Sequence, residues 1–159
     1  MFSFRRNKRI ANFVVEDYAV RVVINNGVEL SVTEEPIEEV LPEGVVKNGK
    51  IIDEAAFLGM VEEIVRVHGL KGMNMRFYVP NALIIKLDVD IPNDVINEEV
   101  KQYITMEIGH TIHLPFKNPH FDVYHIQDME ETKKVTLFAA PEEEIMQYTE
   151  LFFEAKLKP

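Results

Sequence analysis

Residues 44–69 read GVVKNGKIIDEAAFLGMVEEIVRVHG, and this stretch changes from a strand pattern to a helix pattern at Asp53. Asn48-Gly49 is a residue pair that tight two-residue hairpin turns favour, because both positions need a left-handed backbone. Asp53 suits the N-cap of a helix, and Gly69 suits its left-handed stop. Between them, apolar residues recur at the spacing of one helical face: Phe57, Val61, Ile64 and Val65. The stretch predicts a β-hairpin followed directly by a helix, so we expect an α/β protein.

The segments around this stretch predict a first module over residues 1–80. Runs rich in β-branched residues predict strands over residues 10–15, 19–24, 28–32 and 75–79. Asn26-Gly27 predicts a tight turn after the second of these strands. Residues 34–43 contain two prolines and several glutamates, and we expect an acidic loop there. The module is then a β-meander followed by a helix and one more strand.

Residues 81–159 predict a second module with the order strand, helix, strand, strand, helix. Its strands are expected over residues 83–89, 121–127 and 134–140. Asn97 suits the cap of the first helix, which ends before Gly109, and Pro141 suits the first turn of the last helix. One face of that last helix carries Ile145, Tyr148, Thr149, Phe152 and Phe153. We expect the module to lack a final strand and the chain to continue beyond Pro159.

The composition excludes several functional classes. The 159 residues carry a formal net charge of −10, contain no cysteine and are 47% hydrophobic. This charge opposes binding to nucleic acid, and the absence of cysteine excludes disulfides and thiolate chemistry. No apolar run approaches the roughly 20 residues that span a bilayer, so we expect a cytoplasmic protein without a transmembrane segment. The basic start fits either a solvated leader or a contact with an anionic membrane surface, through Phe2, Phe4, Arg5, Arg6, Lys8 and Arg9.

The histidines and carboxylates do not form a reactive centre that the sequence reveals. The histidines nearest to one another are His110, His113, His120 and His125. Gly109 and Pro115 place the first two in an irregular loop, and zinc sites need three or four convergent ligands. The acidic residues fall at helix starts and in the acidic loop, so no catalytic pair can be chosen. We therefore expect neither a metal site nor a catalytic residue.

The turn between the first two predicted strands is where a nucleotide-binding fold of this order would hold phosphate. Such a turn needs glycine for close backbone approach and small hydroxyl residues beside it. Here it reads Glu16-Asp17-Tyr18, so two carboxylates would repel phosphate and the tyrosine ring would fill the space. Neither a dinucleotide-binding glycine motif nor a P-loop motif occurs in the chain. We expect no bound cofactor.

The order of these signals resembles the N-terminal part of the PilM family, the actin-like, FtsA-related cytoplasmic proteins of type IV pilus assembly. The resemblance runs along essentially the full chain. Its marks are the hairpin over residues 14–23, GVVKNGKI at 44–51, GLKG at 69–72, the strand ending at Pro80, residues 103–107 before IHLPF at 112–116, FDVY at 121–124, and residues 137–141 and 154–159.

The resemblance implies a partial actin-like, ribonuclease H-like fold. The first module resembles part of subdomain 1A, and the second resembles the inserted subdomain 1C, a strand-helix-strand-strand unit. Family members bind ATP between 1A and a later subdomain. The family's Asp-x-Gly followed by Ser or Thr aligns with Val14-Val15-Glu16-Asp17, so the metal-orienting aspartate and the glycine are both lost. The resemblance thus implies a degenerate phosphate loop here.

Family members also hold the cytoplasmic N-terminal tail of the membrane protein PilN in a groove between 1A and 1C. The resemblance therefore implies a PilN-like partner, which would hold this chain at the inner face of the cell membrane, in a pilus, competence or other secretion system. By chain position, we expect the groove to be lined by Tyr78, Pro80, Leu83, Ile85, Leu114 and Phe116. The same residues would also suit an ordinary core between the modules.

Two other interpretations stay open at this point. The chain could be an actin-like switch whose ATP and Mg²⁺ site is completed by a C-terminal half. It could also be an FtsA-like division protein, which would associate with itself through the 1C module.

Overall fold

The described part of the chain folds into two compact units. The computed structural model describes residues 9–26 and 35–159. The first unit combines the chain up to Leu83 with Glu144–Pro159, and the second unit is Ile84–Glu143. In the described ranges, no helix is both long and apolar enough to cross a membrane. Some predictions fall outside the described residues, namely those for Phe2, Phe4, Arg5, Arg6, Lys8, Gly27 and residues 28–32.

The first unit is built on a mainly antiparallel sheet. Its strands are β1 (Arg9–Glu16), β2 (Ala19–Asn26), β3 (Ile37–Val40), β4 (Val46–Lys47), β5 (Lys50–Ile51) and β6 (Asn74–Tyr78). Among the residues described, four of them form one sheet in the order β3-β2-β1-β6, and β4 pairs with β5 as a separate hairpin. Phe13 of β1 lies opposite Val22 of antiparallel β2 and opposite Phe77 of parallel β6. The strands predicted over residues 10–15, 19–24 and 75–79 are confirmed.

The acidic-loop prediction is wrong for residues 37–40, which form β3. This strand pairs antiparallel with β2, and it places Glu38 opposite Arg21. The Nε atom of Arg21 donates to the Oε2 atom of Glu38 at 2.6 Å. Among the residues that the structure describes, β3 pairs on one side only, and exposed carboxylates such as those of Glu38 and Glu39 discourage pairing with another sheet. A strand of this kind lacks the apolar alternation that identifies half-buried strands.

The hairpin and helix predicted from residues 44–69 are confirmed. Asn48 and Gly49 both have a positive φ, 51° and 76°, as a tight hairpin turn requires. Helix α1 (Glu54–Val67) begins after Asp53, whose carboxylate accepts a hydrogen bond from the Ala56 N–H at 3.0 Å. It ends at Val67, and Gly69 follows with a φ of 65°. The predicted apolar face of this helix is buried: Phe57, Val61, Ile64 and Val65.

The second unit is a small sheet covered by one helix. Within residues 84–143, all of which the structure describes, the elements are β7 (Ile85–Pro92), α2 (Val100–Glu107), β8 (Pro119–Asp128) and β9 (Thr132–Pro141). The strand order is β7-β9-β8, with both pairs antiparallel. Val100 and Ile104 of α2 are buried with Val135 and Leu137 of β9. The predicted hairpin of the last two strands is confirmed.

Three boundaries in this region differ from the predictions. The strand predicted from residue 83 begins at Ile85, because Asn81–Leu83 forms a 3-10 turn. It runs through Pro92, which is tolerated because β7 is an edge strand. Asn97 does not cap α2 but begins the 3-10 turn Asn97–Glu99. Its side chain instead accepts a hydrogen bond from the Lys133 Nζ atom at 3.1 Å.

The last helix belongs to the first unit, whereas we expected it in the module over residues 81–159. Helix α3 (Glu142–Glu154) starts after Pro141, which is the last residue of β9. Its Tyr148 ring lies 5.0 Å from Phe77 and 5.5 Å from Phe57 between centroids. The helix therefore completes the aromatic core that β6 and α1 begin.

The apolar face of α3 is only partly as predicted. Tyr148 and Phe152 are buried as expected, and Leu151 is buried with them. Thr149 is exposed, and Phe153 is 68% exposed. The buried face of α3 therefore includes Leu151 in place of Thr149 and Phe153.

Candidate functional site

The turn between β1 and β2 is tied to the turn between β4 and β5 by a carboxylate. The Oδ2 atom of Asp17 accepts a hydrogen bond from the Asn48 N–H at 2.7 Å. Its Oδ1 atom accepts one from the Gly49 N–H at 2.9 Å. Both donors sit on left-handed residues, whose successive N–H groups converge on one point. The predicted degenerate phosphate loop and the predicted hairpin therefore form one cluster.

Gly49 is enclosed on its other sides. A Cβ atom at this position would lie 2.8 Å from Pro80 Cβ and 3.0 Å from Leu83 Cγ, so only glycine fits. The Tyr148 hydroxyl donates to the Gly49 carbonyl at 2.7 Å. Burial raises the pKa of the Tyr148 hydroxyl well above its usual range, and the charges of Asp17 and Glu144 raise this pKa further. Tyr148 is therefore a neutral donor at physiological pH.

The two other residues of the β1–β2 turn surround Arg21. The Arg21 guanidinium contacts the carboxylates of both Glu16 and Glu38 and lies 5.7 Å from the centre of the Tyr18 ring. Hydrogen bonds to Glu38, Tyr18 and Glu16, in that order of size, raise the pKa of this guanidinium. The Arg21 side chain is 34% exposed, so we assign this network a role in ordering the turn rather than in overall stability.

The predicted partner-binding residues of the first unit have different surroundings. Tyr78, at the end of β6, is 57% exposed. Leu83 is 5% exposed and belongs to the hydrophobic core of this unit, where it packs on Gly49. Pro80 is buried as well. The close approach to Gly49 therefore buries the Leu83 side chain in this core, and its place in a partner groove stays a prediction.

The remaining predicted partner-binding residues lie in the second unit. Leu114 and Phe116, in the segment between α2 and β8, are half-buried against the hydrophobic core of this unit. Ile85, the first residue of β7, is half-buried. Each of them keeps some apolar surface in contact with solvent.

The structure places the four histidines that lie closest in sequence at the surface. His110, His113, His120 and His125 are all exposed. In the described part of the chain, no three His, Cys, Asp or Glu residues are grouped as metal ligands would be.

Sequence reasoning missed the cluster formed by Asp17, Asn48, Gly49 and Tyr148. Three of these residues lie in the predicted turns, but the sequence does not indicate that the two turns are in contact. Asp17 and Gly49 are 32 residues apart, and Gly49 and Tyr148 are 99 apart. A glycine in a tight turn and an aromatic residue on a helix are each explained locally, so neither indicates the contact.

Comparison with solved structures identifies the fold. The chain matches a structure described as a PilM-PilN type IV pilus biogenesis complex, with a TM-score of 0.70, 17% identity and 94% of this chain covered. It also matches the cytoplasmic domain of EpsL from Vibrio cholerae, an inner-membrane component of the type II secretion system, with a TM-score of 0.55, 10% identity and 94% coverage. The chain therefore has a PilM-like mixed α/β fold.

The match covers only part of those proteins. The chain spans 45% of the PilM-PilN chain and 55% of the EpsL chain, so it corresponds to about half of each. No protein-family model and no curated protein sequence matches it.

Proposed function

We propose that this chain is a PilM-like scaffold that binds the cytoplasmic N-terminal tail of a PilN-like inner-membrane protein. The observation that carries the proposal is the TM-score of 0.70 over 94% of the chain to a structure of a PilM-PilN complex. The second similar structure belongs to an inner-membrane component of a secretion system. Both similarities favour a role in assembling a pilus or secretion machine at the inner face of the membrane.

We propose further that the scaffold works without nucleotide and has no catalytic activity. A phosphate approaching the β1–β2 turn would meet the carboxylates of Glu16 and Asp17. The N–H groups of Asn48 and Gly49, which could otherwise bind it, already donate to Asp17. The negative charges of the two carboxylates disfavour phosphate binding. N–H groups that already donate to Asp17 cannot offset this repulsion.

Among the predicted partner-binding residues of the first unit, Tyr78 is the best suited to contact the partner. Its large ring is exposed at the end of β6. Exposed aromatic residues are common anchors in interfaces, because their rings bury a large area at low entropic cost. In the second unit, Ile85, Leu114 and Phe116 remain candidates; in the first unit, the buried Leu83 is a weaker candidate than Tyr78.

The proposal is tested by isothermal titration of the chain with a synthetic peptide of the N-terminal cytoplasmic tail of a PilN-like protein. We expect binding, and we expect Tyr78→Asp to weaken it by tenfold or more, about 1.4 kcal/mol. Tyr124→Asp is the matched control, because Tyr124 is a 75% exposed aromatic residue of the second unit. Equal loss in both variants would remove Tyr78 from the site. The absence of peptide binding by the unmodified chain would refute the proposed function.

A further inference from the structure

The turn between β4 and β5 has the geometry of an anion-binding nest. Asn48 and Gly49 are successive residues with φ values of 51° and 76°, which turn their N–H groups toward the same side. Consecutive N–H groups arranged in this way form a concavity that binds anions. Asp17 fills it with one carboxylate oxygen on each N–H, at 2.7 and 2.9 Å. This is how two oxygens of a bound phosphate would be held.

The nest is supported from behind and open in front. Behind it, the buried Tyr148 hydroxyl holds the Gly49 carbonyl at 2.7 Å, and Pro80 and Leu83 press on the Gly49 Cα. In front, Asp17 is exposed to solvent. The supporting contacts do not involve Asp17, so we expect the turn to keep its shape when the carboxylate is removed.

We propose that the β4–β5 turn is an oxyanion-binding site whose resident ligand is the carboxylate of Asp17. This internal anion accepts from both N–H groups and competes with external phosphate for them. This inference deepens the proposed function and rests on it in one respect, because it assumes that the β1–β2 turn does not bind nucleotide. The external ligand that the site would accept is a small tetrahedral oxyanion, such as inorganic phosphate or the terminal phosphate of a nucleotide.

The test is a titration of the ¹⁵N-labelled chain with inorganic phosphate at constant ionic strength, observed by NMR. In Asp17→Ala, we expect the amide signals of Asn48 and Gly49 to shift saturably at millimolar phosphate. In the unmodified chain, we expect these amides to bind phosphate at least about tenfold more weakly, because the carboxylate competes for charge-assisted hydrogen bonds. Mg-ATP in a separate titration distinguishes a nucleotide from free phosphate as the source of the oxyanion.

Two further variants keep the result interpretable. Glu16→Ala removes the same charge from the neighbouring residue, whose carboxylate contacts Arg21, and should behave like the unmodified chain. Asp17→Ser shortens the side chain, so that it no longer reaches both N–H groups, and serves if Asp17→Ala fails to fold; it should also gain the phosphate response. A lack of response in both Asp17 variants, or an equal response in the unmodified chain, would overturn the inference. Failure of the tail peptide to bind would refute the proposed function without changing these shifts.

Discussion

At the scale of single residues, Gly49 is where the contacts of the candidate site converge. Its N–H donates to Asp17, its carbonyl accepts from Tyr148, and its Cα is covered by Pro80 and Leu83. The backbone at this residue is therefore fixed by three separate parts of the first unit. Substitutions here should affect stability more than the same substitutions in an open turn.

We predict that Gly49→Ala destabilises the chain more than Gly44→Ala. Both residues have a positive φ, 76° and 87°, so both substitutions strain the backbone by about 1 kcal/mol. Only at Gly49 would the new Cβ also clash with Pro80, at 2.8 Å; a Cβ at Gly44 would have no described atom within 4 Å beyond its chain neighbours. We expect the additional overpacking to cost about 1–3 kcal/mol in urea unfolding. Equal losses in the two variants would contradict the described packing.

Tyr148 predicts a loss of stability at alkaline pH. Its pKa in the folded state is raised by burial, then by Asp17 and Glu144, so the unfolded chain releases this proton at a lower pH than the folded chain. The stabilisation is complete below the unfolded pKa of about 10 and declines as the pH rises above it. Denaturant unfolding across this range should show the decline, and Tyr148→Phe should remove most of it. A Tyr148→Phe profile as steep as the original would show that another group is responsible.

Local residue signals predicted local structure well. Asp53 as a cap, Gly69 as a stop and Asn48-Gly49 as a turn each act within a few residues, so the sequence pattern contains the whole cause. The bond from Gly49 to Asp17 depends on how β1, β2 and the hairpin are packed. That arrangement is a property of the tertiary fold, and no short pattern encodes it.

At the scale of elements, the turn before α2 is held by hydrogen bonds from a lysine on strand β9. The Nζ atom of Lys133, on β9, donates to the Val95 carbonyl at 2.6 Å and to the Asn97 side chain at 3.1 Å. It also lies 3.7 Å from the Asp128 carboxylate. Lys133 is only 8% exposed, so it orders the turn before α2 in place of a local cap.

We predict that Lys133→Met destabilises the second unit by about 1–3 kcal/mol, because it leaves the Val95 carbonyl and the Asn97 side chain without their donor. Lys134→Met is the matched control, since Lys134 is the exposed neighbour on the same strand. The control should change stability by less than about 0.5 kcal/mol. Thermal unfolding of the two variants measures the difference, and a harmless Lys133→Met would show that the lysine does not order this turn.

At the scale of the whole molecule, the first unit is assembled from two separated segments of the chain. The predicted order of elements was largely right, but the assignment of α3 to the second module was wrong. The pattern of α3 shows an apolar face without showing which core that face joins. Tyr148 and Phe152 join the core of Phe13 and Phe57, more than 80 residues earlier in the chain.

This arrangement predicts that the second unit can be removed. Leu83 packs on Gly49, and the Glu144 carboxylate lies 3.2 Å from the Lys50 Nζ atom, so both ends of the segment lie beside the β4–β5 hairpin. Replacement of Ile84–Glu143 by a short Gly/Ser linker should leave a first unit with one cooperative unfolding transition in urea. Loss of cooperativity, or of the near-ultraviolet tyrosine signal, would show that the first unit needs the second to fold.

The central claim is that this chain binds a protein tail without help from nucleotide. Isothermal titration of the PilN-like tail peptide into the chain, with and without saturating Mg-ATP, tests it most directly. We predict the same Kd in both conditions and no heat from Mg-ATP alone. A peptide that binds only with Mg-ATP, or Mg-ATP that binds at micromolar Kd, would contradict the claim.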